Sequence, residues 1–446
     1  MMRTKVQISD HFTYRRLLRF VLPPAVMMLF TSIYTVVDGF FVSNFVGSTA
    51  LAGVNLIYPI IWILGSFGFM VGSGGNALVG KYLGEGKDEE ARRIFSFLML
   101  MLVIIGTLLA VGGFIFIRPL GQLIGADGEL LDLCVIYGRI SFIGLPFLMM
   151  QVAFGNFLIT AEKGGTGLVV TICAGATNII MDALLVAVLK LGIGGAALAT
   201  ILSQICASVI CLVTFFRRGK KRLYFVRPVK RWRAFCKSLY NGASEFLTNV
   251  SSSIVCVIFN VRLMAMAGEN GVAAYGVIMY VCYVFLAIFF GYAMSCTSLI
   301  SYNYGADNRP ELKNLFKKSL VLMPVTGVIM VILAELMAVP LSEIYVGYDP
   351  ALLEMTVRGF RLFSFSYALS GVNCFASAFF TGFNNGTVSG VLSVLRSLVF
   401  QIIAVFVLPL LWGLDGIWLA VTAAEAMALC ASILCFVLFR KRYHYA

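Results

Sequence analysis

Asn178 and Asp182 stand four residues apart in the run TNIIMDALL (177–185), inside a stretch otherwise suited to lipid. On a helix that spacing puts both side chains on one face. An amide oxygen and a carboxylate are hard acceptors for a proton or a small cation. A charge at mid-membrane costs about 2.5–3.5 kcal/mol on insertion scales, so its retention points to function. The other acidic and basic candidates weighed within apolar stretches are Asp38, Glu245, Glu335, Arg396 and Glu425. If those stretches are helices, Asp38, Asp182 and Thr200 all lie roughly 10 Å below the same membrane surface. Asp38, Asn178, Asp182 and Thr200 can then share one level and offer two carboxylates, an amide oxygen and a hydroxyl. Such a set can hold Na⁺, or it can share a proton, because two close carboxylates resist ionising together. A hydrogen-bonded packing cluster is the structural alternative. Glu245 is read as lining a cavity of the second half or as snorkelling at an interface. Arg396 either joins that cavity or simply pairs with Glu425, and Glu335 reads as structural or interfacial.

The elements that must position these groups follow from composition. The chain has 446 residues, 60% hydrophobic and 12% charged. Soluble domains carry about 25% charged residues, so this is an integral membrane protein with no length left for a soluble catalytic domain. Apolar runs of roughly 20 residues mark crossings. They predict twelve helices, over 17–44, 51–79, 94–117, 131–159, 167–189, 194–216, 240–266, 272–302, 319–341, 352–381, 388–410 and 416–438. Most of the 34 Lys and Arg fall on one side of that topology, which places both termini in the cytoplasm. The domains read as a cytoplasmic segment 1–16, a bundle 17–216, a basic linker 217–239, a second bundle 240–438 and a tail 439–446. The linker, which accounts for much of the net charge of +13, is expected against anionic lipid rather than nucleic acid. No cleavable signal pattern is expected at the start.

The two bundles repeat each other at an offset of 221 residues. Gly84 falls on Gly305, Glu90 on Glu311, Thr160 on Thr381 and Gly192 on Gly413. Each half holds an even number of helices, so the halves run parallel, an arrangement suited to rocking around a central cavity. The polar set breaks the repeat. Asp38, Asn178, Asp182 and Thr200 fall opposite Phe259, Val399, Ile403 and Val421, so the set exists in the first half only. Shared architecture does not require it. Other chemistries find no support. GSGGNALVGK (72–81) lacks the Ser or Thr that a phosphate loop needs, since Tyr82 stands there. Both His are near the chain ends, and the eleven Cys form no CxxC pair. No enzyme and no cofactor beyond a coupling ion are expected.

The stretch LPPAVMMLFTSIYTVVDGFFVSNFVGSTALAGVNLIYPI (22–60) resembles the opening of a multidrug and toxic compound extrusion (MATE) transporter. The resemblance runs the whole length and is nearest the DinF-like branch with its MepA-type members. It implies an all-α fold of two six-helix bundles related by a pseudo-two-fold axis. It also implies antiport of bulky, often cationic organic compounds against protons or Na⁺. In that branch the coupling site is an Asp in helix 1, an Asn and an Asp four apart in helix 5 and a Thr in helix 6, matched here by Asp38, Asn178, Asp182 and Thr200. A helix 1 proline fifteen residues before the Asp is matched by Pro23, a natural kink. The other branch uses carboxylates of the second half; here no helix 10 Asp accompanies Glu245. A monomer in the bacterial plasma membrane is expected, contacting substrate, ion and lipid. The rival reading is a flippase or exporter of a lipid-linked saccharide, peptide or metabolite on a related fold.

Overall fold

The computed structural model describes residues 6–46, 48–123, 125–217 and 222–446. Arg3 and Lys5 of the basic N-terminal segment, and Arg218, Lys220 and Lys221 of the linker, lie outside them. The described residues form twelve helices long enough to cross a membrane, counting one bent pair as a single span. The first half comprises α1 (Tyr14–Phe45), α2 (Ser48–Gly84), α3 (Asp88–Leu123), α4 (Gly128–Thr160), α5 (Gly164–Asp182, extended by a π-turn over Ala183–Val188) and α6 (Gly192–Phe216). The hydrogen-bonded run Trp232–Gly305 breaks at Gly268 (φ 63°) into α7 (232–267) and α8 (269–305). Then come α9 (Arg309–Val346) and α10, which bends by 48° between Pro350–Ser364 and Tyr367–Gly382. The helix α11 (386–411) carries a π-turn over Leu395–Val399, and a break at Trp412 and Gly413 starts α12 (414–443).

The helices run past their apolar cores. Apolarity measures the hydrocarbon layer, whereas hydrogen bonding continues into the headgroup region. There Asp88, Glu89 and Glu90 open α3, and Glu311 opens α9, where acidic side chains suit a helix N-terminus. The linker is a docked segment rather than a strand of chain resting on lipid. Leu223 is buried, and the Phe225 ring packs 4.9 Å from Phe95 and 4.8 Å from Phe216. Arg231 pairs with Glu90 at 2.8 Å. From Trp232 the stretch read as linker is already α7. Its basic residues disguised a turn in which Trp232 packs edge-on to Phe97.

Two hydrophobic cores form, one within each half. The pseudo-two-fold axis passes where α2 crosses α8. A Cβ on Gly84 would fall 2.0 Å from the Tyr302 carbonyl oxygen, and one on Gly305 would fall 2.0 Å from that of Lys81. Both pairs are exchanged by the 221-residue shift, as a self-complementary contact requires. Two pairs of positive-φ positions obey it too, Gly86 matching Asp307 and Gly192 matching Gly413. The crossing lies near the face that carries the basic loops. Above it, Asn76 of α2 donates to Ser298 Oγ of α8 (2.8 Å), and Thr160 of α4 joins the pair. The hydrogen bonds between the halves nearest the opposite face are Trp62 to Asn249 and Ser32 to the Tyr283 carbonyl, both about half-way across. Among the described residues none joins the halves beyond that level. The hydrogen bonds that join the halves thus run from the basic face to about half-way across.

Candidate ion and substrate sites

The four oxygen-bearing residues of the first half converge. Asp38 of α1 lies beside Asp182 and Asn178 of α5 and Thr200 of α6. Asp182 and Asn178 are 0% and 2% exposed. The Thr200 hydroxyl donates to the Ala196 carbonyl of its own helix at 3.1 Å and lies within hydrogen-bond reach of Asp38. Asp38 Oδ1, Asn178 Oδ1 and both carboxylate oxygens of Asp182 are buried and accept no hydrogen bond. Buried acceptors are almost always paired. Four unpaired buried oxygens in one nest suit a shared proton or a small cation. Their chemistry fits hard, oxygen-preferring ions. The π-turn of α5 begins directly after Asp182, and such turns recur at functional sites because they redirect a helix face.

The spacing argument missed a ring of side chains around this nest. Tyr34 of α1 stands beside Gln151 and Asp38, and Tyr58 and Tyr137 lie within electrostatic reach of Asp38. Gly175 of α5 makes room for the Tyr34 ring, 3.2 Å from where a Cβ would be. A signal existed. Tyr34, Tyr58 and Gln151 fall opposite Val255, Met279 and Val372 in the repeat, the same one-sided polarity as the nest itself. Two arginines within spans were also passed over. Arg139 of α4 lies over Phe114, and Arg262 of α7 lies over Phe406.

The second half is organised differently. Arg396, on the π-turn of α11, pairs with Glu425 of α12 at 2.8 Å and donates to the Cys374 sulfur at 3.1 Å. Asn373 Nδ2 donates to Glu425 (2.6 Å), and Ser432 donates to Asn373 Oδ1 (3.0 Å). Arg396 is therefore held as a structural cation. Glu245 lies in its field. It is partly exposed, and among the described residues no cationic side chain pairs with it. Glu335 receives the Ser364 hydroxyl (2.7 Å) and Arg361 (3.6 Å), a structural contact. Breaking a buried pair leaves a bare charge at a cost of about 3–5 kcal/mol, whereas removing both charges costs far less. Arg396→Ala is accordingly expected to lower the melting temperature of the purified protein sharply, and Arg396→Met with Glu425→Gln to recover most of it. An equal loss in the double variant would show that the pair is not the source.

Pro23 sits with Pro24 in the basic-face half of α1, inside a continuous helix. Each lacks the amide that would close a helical hydrogen bond. A Cβ on Gly164 of α5 would lie 3.6 Å from both prolines, and Gly291 of α8 presses on the backbone just beyond them, where a Cβ would fall 2.3 Å from Ala25 Cα.

Two parallel, duplicated six-helix halves with a buried cluster of unpaired oxygens in one match the architecture of a membrane transporter. The chain matches the MatE family model twice, over residues 23–184 and 243–407, and it belongs to that family of multidrug and toxic compound extrusion transporters. It is similar to the multidrug export protein MepA of Staphylococcus haemolyticus, with 23% identity covering 96% of this chain and 94% of the relative. The probable multidrug resistance protein YoeA of Bacillus subtilis shares 27%, covering 94% of this chain and 93% of the relative. Among solved structures, one described as the outward-facing conformation of a multidrug resistance MATE family transporter superposes with a TM-score of 0.91. Its identity is 22%, and the match covers 100% of this chain and 99% of that one.

Proposed function

We propose that this chain exports bulky, often cationic organic compounds from a bacterial cell in exchange for protons or Na⁺ moving inward. The single observation behind the coupling site is the set of buried, unpaired oxygens on Asp38, Asn178 and Asp182, with Thr200 beside them. The basic loops put the closed face and both termini in the cytoplasm under the positive-inside rule, so the cleft opens outward. From that side Asp38 and Asp182 take up the ion, which relieves their mutual repulsion and lets α1 bend at Pro23. The bend reshapes the first half around Asp38 and displaces the substrate. The halves then rock open to the cytoplasm, where the nest releases the ion. Coupling needs only that the nest hold its ion differently in the two states. Glu245 is the carboxylate left to attract a cationic substrate, since Glu425 is neutralised by Arg396. One chain carries both halves and the whole nest, so a monomer suffices.

Ethidium accumulation in bacteria lacking their main efflux pumps tests this reading. Expression is expected to lower accumulation relative to empty vector, and imposed pH and Na⁺ gradients then identify the ion. Equal accumulation for ethidium and a panel of organic cations would overturn drug export and turn attention to lipid-linked saccharides or peptides.

A further inference from the structure

Residues 6–13 precede α1 and touch both halves at the basic face. Ile8 and Phe12 are buried in the core of the second half, together with Leu17 and Val21 of α1. Glu311, itself buried in the first turn of α9, gathers three donors. These are the Phe12 amide at 3.0 Å, Asn314 Nδ2 at 2.8 Å and the His11 ring, whose Nδ1 lies 2.6 Å away. Asn314 and Lys318 also donate to the Phe12 carbonyl. Apart from its continuation into α1, the segment's hydrogen bond to the first half among the described residues runs from the Ile8 amide to Glu162 Oε1 in the α4–α5 turn at 3.1 Å. The same carboxylate meets Arg222 of the linker at 3.5 Å, and Arg222 lies over Tyr302 of α8.

We propose that residues 6–13 are a latch that holds the cytoplasmic face closed, with Glu311 as its fixed anchor and Glu162 as its releasable catch. The unequal attachment says which end gives way. Two buried apolar side chains and a cluster of hydrogen bonds bind the strap to the second half, while beyond α1, among the described residues, the Ile8 amide binds it to the first. When the halves part on this face, the strap travels with α9 and the Ile8–Glu162 bond breaks. Helix α1 makes the latch part of the cycle. Its far end carries Asp38 into the nest of the first half, its near end is built into the core of the second, and Pro23 and Pro24 lie between. A bend at the prolines therefore loads the strap. The proposal rests on the rocking motion assigned to the halves.

Hydrogen–deuterium exchange of the full chain in lipid nanodiscs tests it without any transported compound, so its failure would leave the export reading standing. Glu162→Asn is the informative variant. Asn tolerates the left-handed backbone at this position (φ 58°) while withdrawing the acceptor. It is expected to speed exchange several-fold at the cytoplasmic ends of α2 (78–84) and α8 (299–305), leaving 128–145 of α4 unchanged. Glu311→Gln is expected to do the same and to expose the amides of 8–13 as well. Unchanged protection at the crossing in both variants, or a uniform rise through α3 to α6, would overturn the latch.

Discussion

Asp182→Asn and Asp38→Asn are each expected to return ethidium accumulation to the level of cells carrying empty vector, at unchanged membrane abundance. The expectation comes from what the nest lacks. Four of its buried oxygens, on Asp38, Asn178 and Asp182, have no hydrogen-bond partner, so an added positive charge is their natural partner. Asn in place of either Asp keeps the shape and one oxygen but removes the charge and supplies a donor of its own. The nest would then be satisfied without an ion, and the two states of the transporter would no longer differ in ion affinity. A ligand that does not discriminate between states shifts nothing, however steep its gradient. Full gradient-driven efflux in either variant would sink the assignment of the nest as the coupling site.

The same nest separates the two coupling ions. Asn178 offers an amide oxygen that does not carry an exchangeable charge at any working pH. A shared proton can sit between Asp38 and Asp182 without it. A Na⁺ needs several oxygens at once, so loss of one ligand is felt directly. Asn178→Ala is therefore expected to keep efflux driven by a pH gradient if the nest carries protons, and to lose most of it if the nest carries Na⁺. Efflux measured in proteoliposomes with one gradient imposed at a time distinguishes them.

Much of this was legible in the sequence because membrane folding leaves strong marks. Twelve apolar runs and a constant offset mark the helices and the two halves. Asp38, Asn178, Asp182 and Thr200 stood out because a polar group in lipid is expensive and because the repeat omits them. The tyrosines around them did not stand out, since an aromatic ring is as much at home in a core as beside an ion. The latch was hidden for a different reason. His11 and Glu311 are 300 residues apart, and only the folded chain brings them to 2.6 Å. The π-turns after Asp182 and at Arg396 were equally silent, because one extra residue in a helical turn leaves no compositional trace.

Gly84→Ala and Gly305→Ala are expected to reduce efflux at least ~10-fold, and the double variant to be little worse than either. At both positions the new methyl would fall 2.0 Å from a backbone carbonyl of the opposing helix, a separation that real Cβ atoms do not adopt. Neither carbonyl can swing aside like a side chain, so α2 and α8 must move apart by about an ångström, which forfeits much of the dispersion energy between closely packed surfaces. Alanine is otherwise the best helix former, so the helices themselves gain rather than lose. The effect is confined to the one state in which the crossing is closed. Shifting a two-state equilibrium from 99:1 to 1:99 takes about 5.5 kcal/mol, and overlap with a fixed carbonyl readily supplies that. Protein trapped open to the cytoplasm would keep its separate cores, fold normally and fail to present the nest to the outside. Non-additivity is the sharper sign. The two glycines are mates under the pseudo-two-fold axis and guard one contact, so a second substitution has nothing left to break. Additive losses, or single variants that export ethidium at the wild-type rate, would show that this crossing does not close during transport.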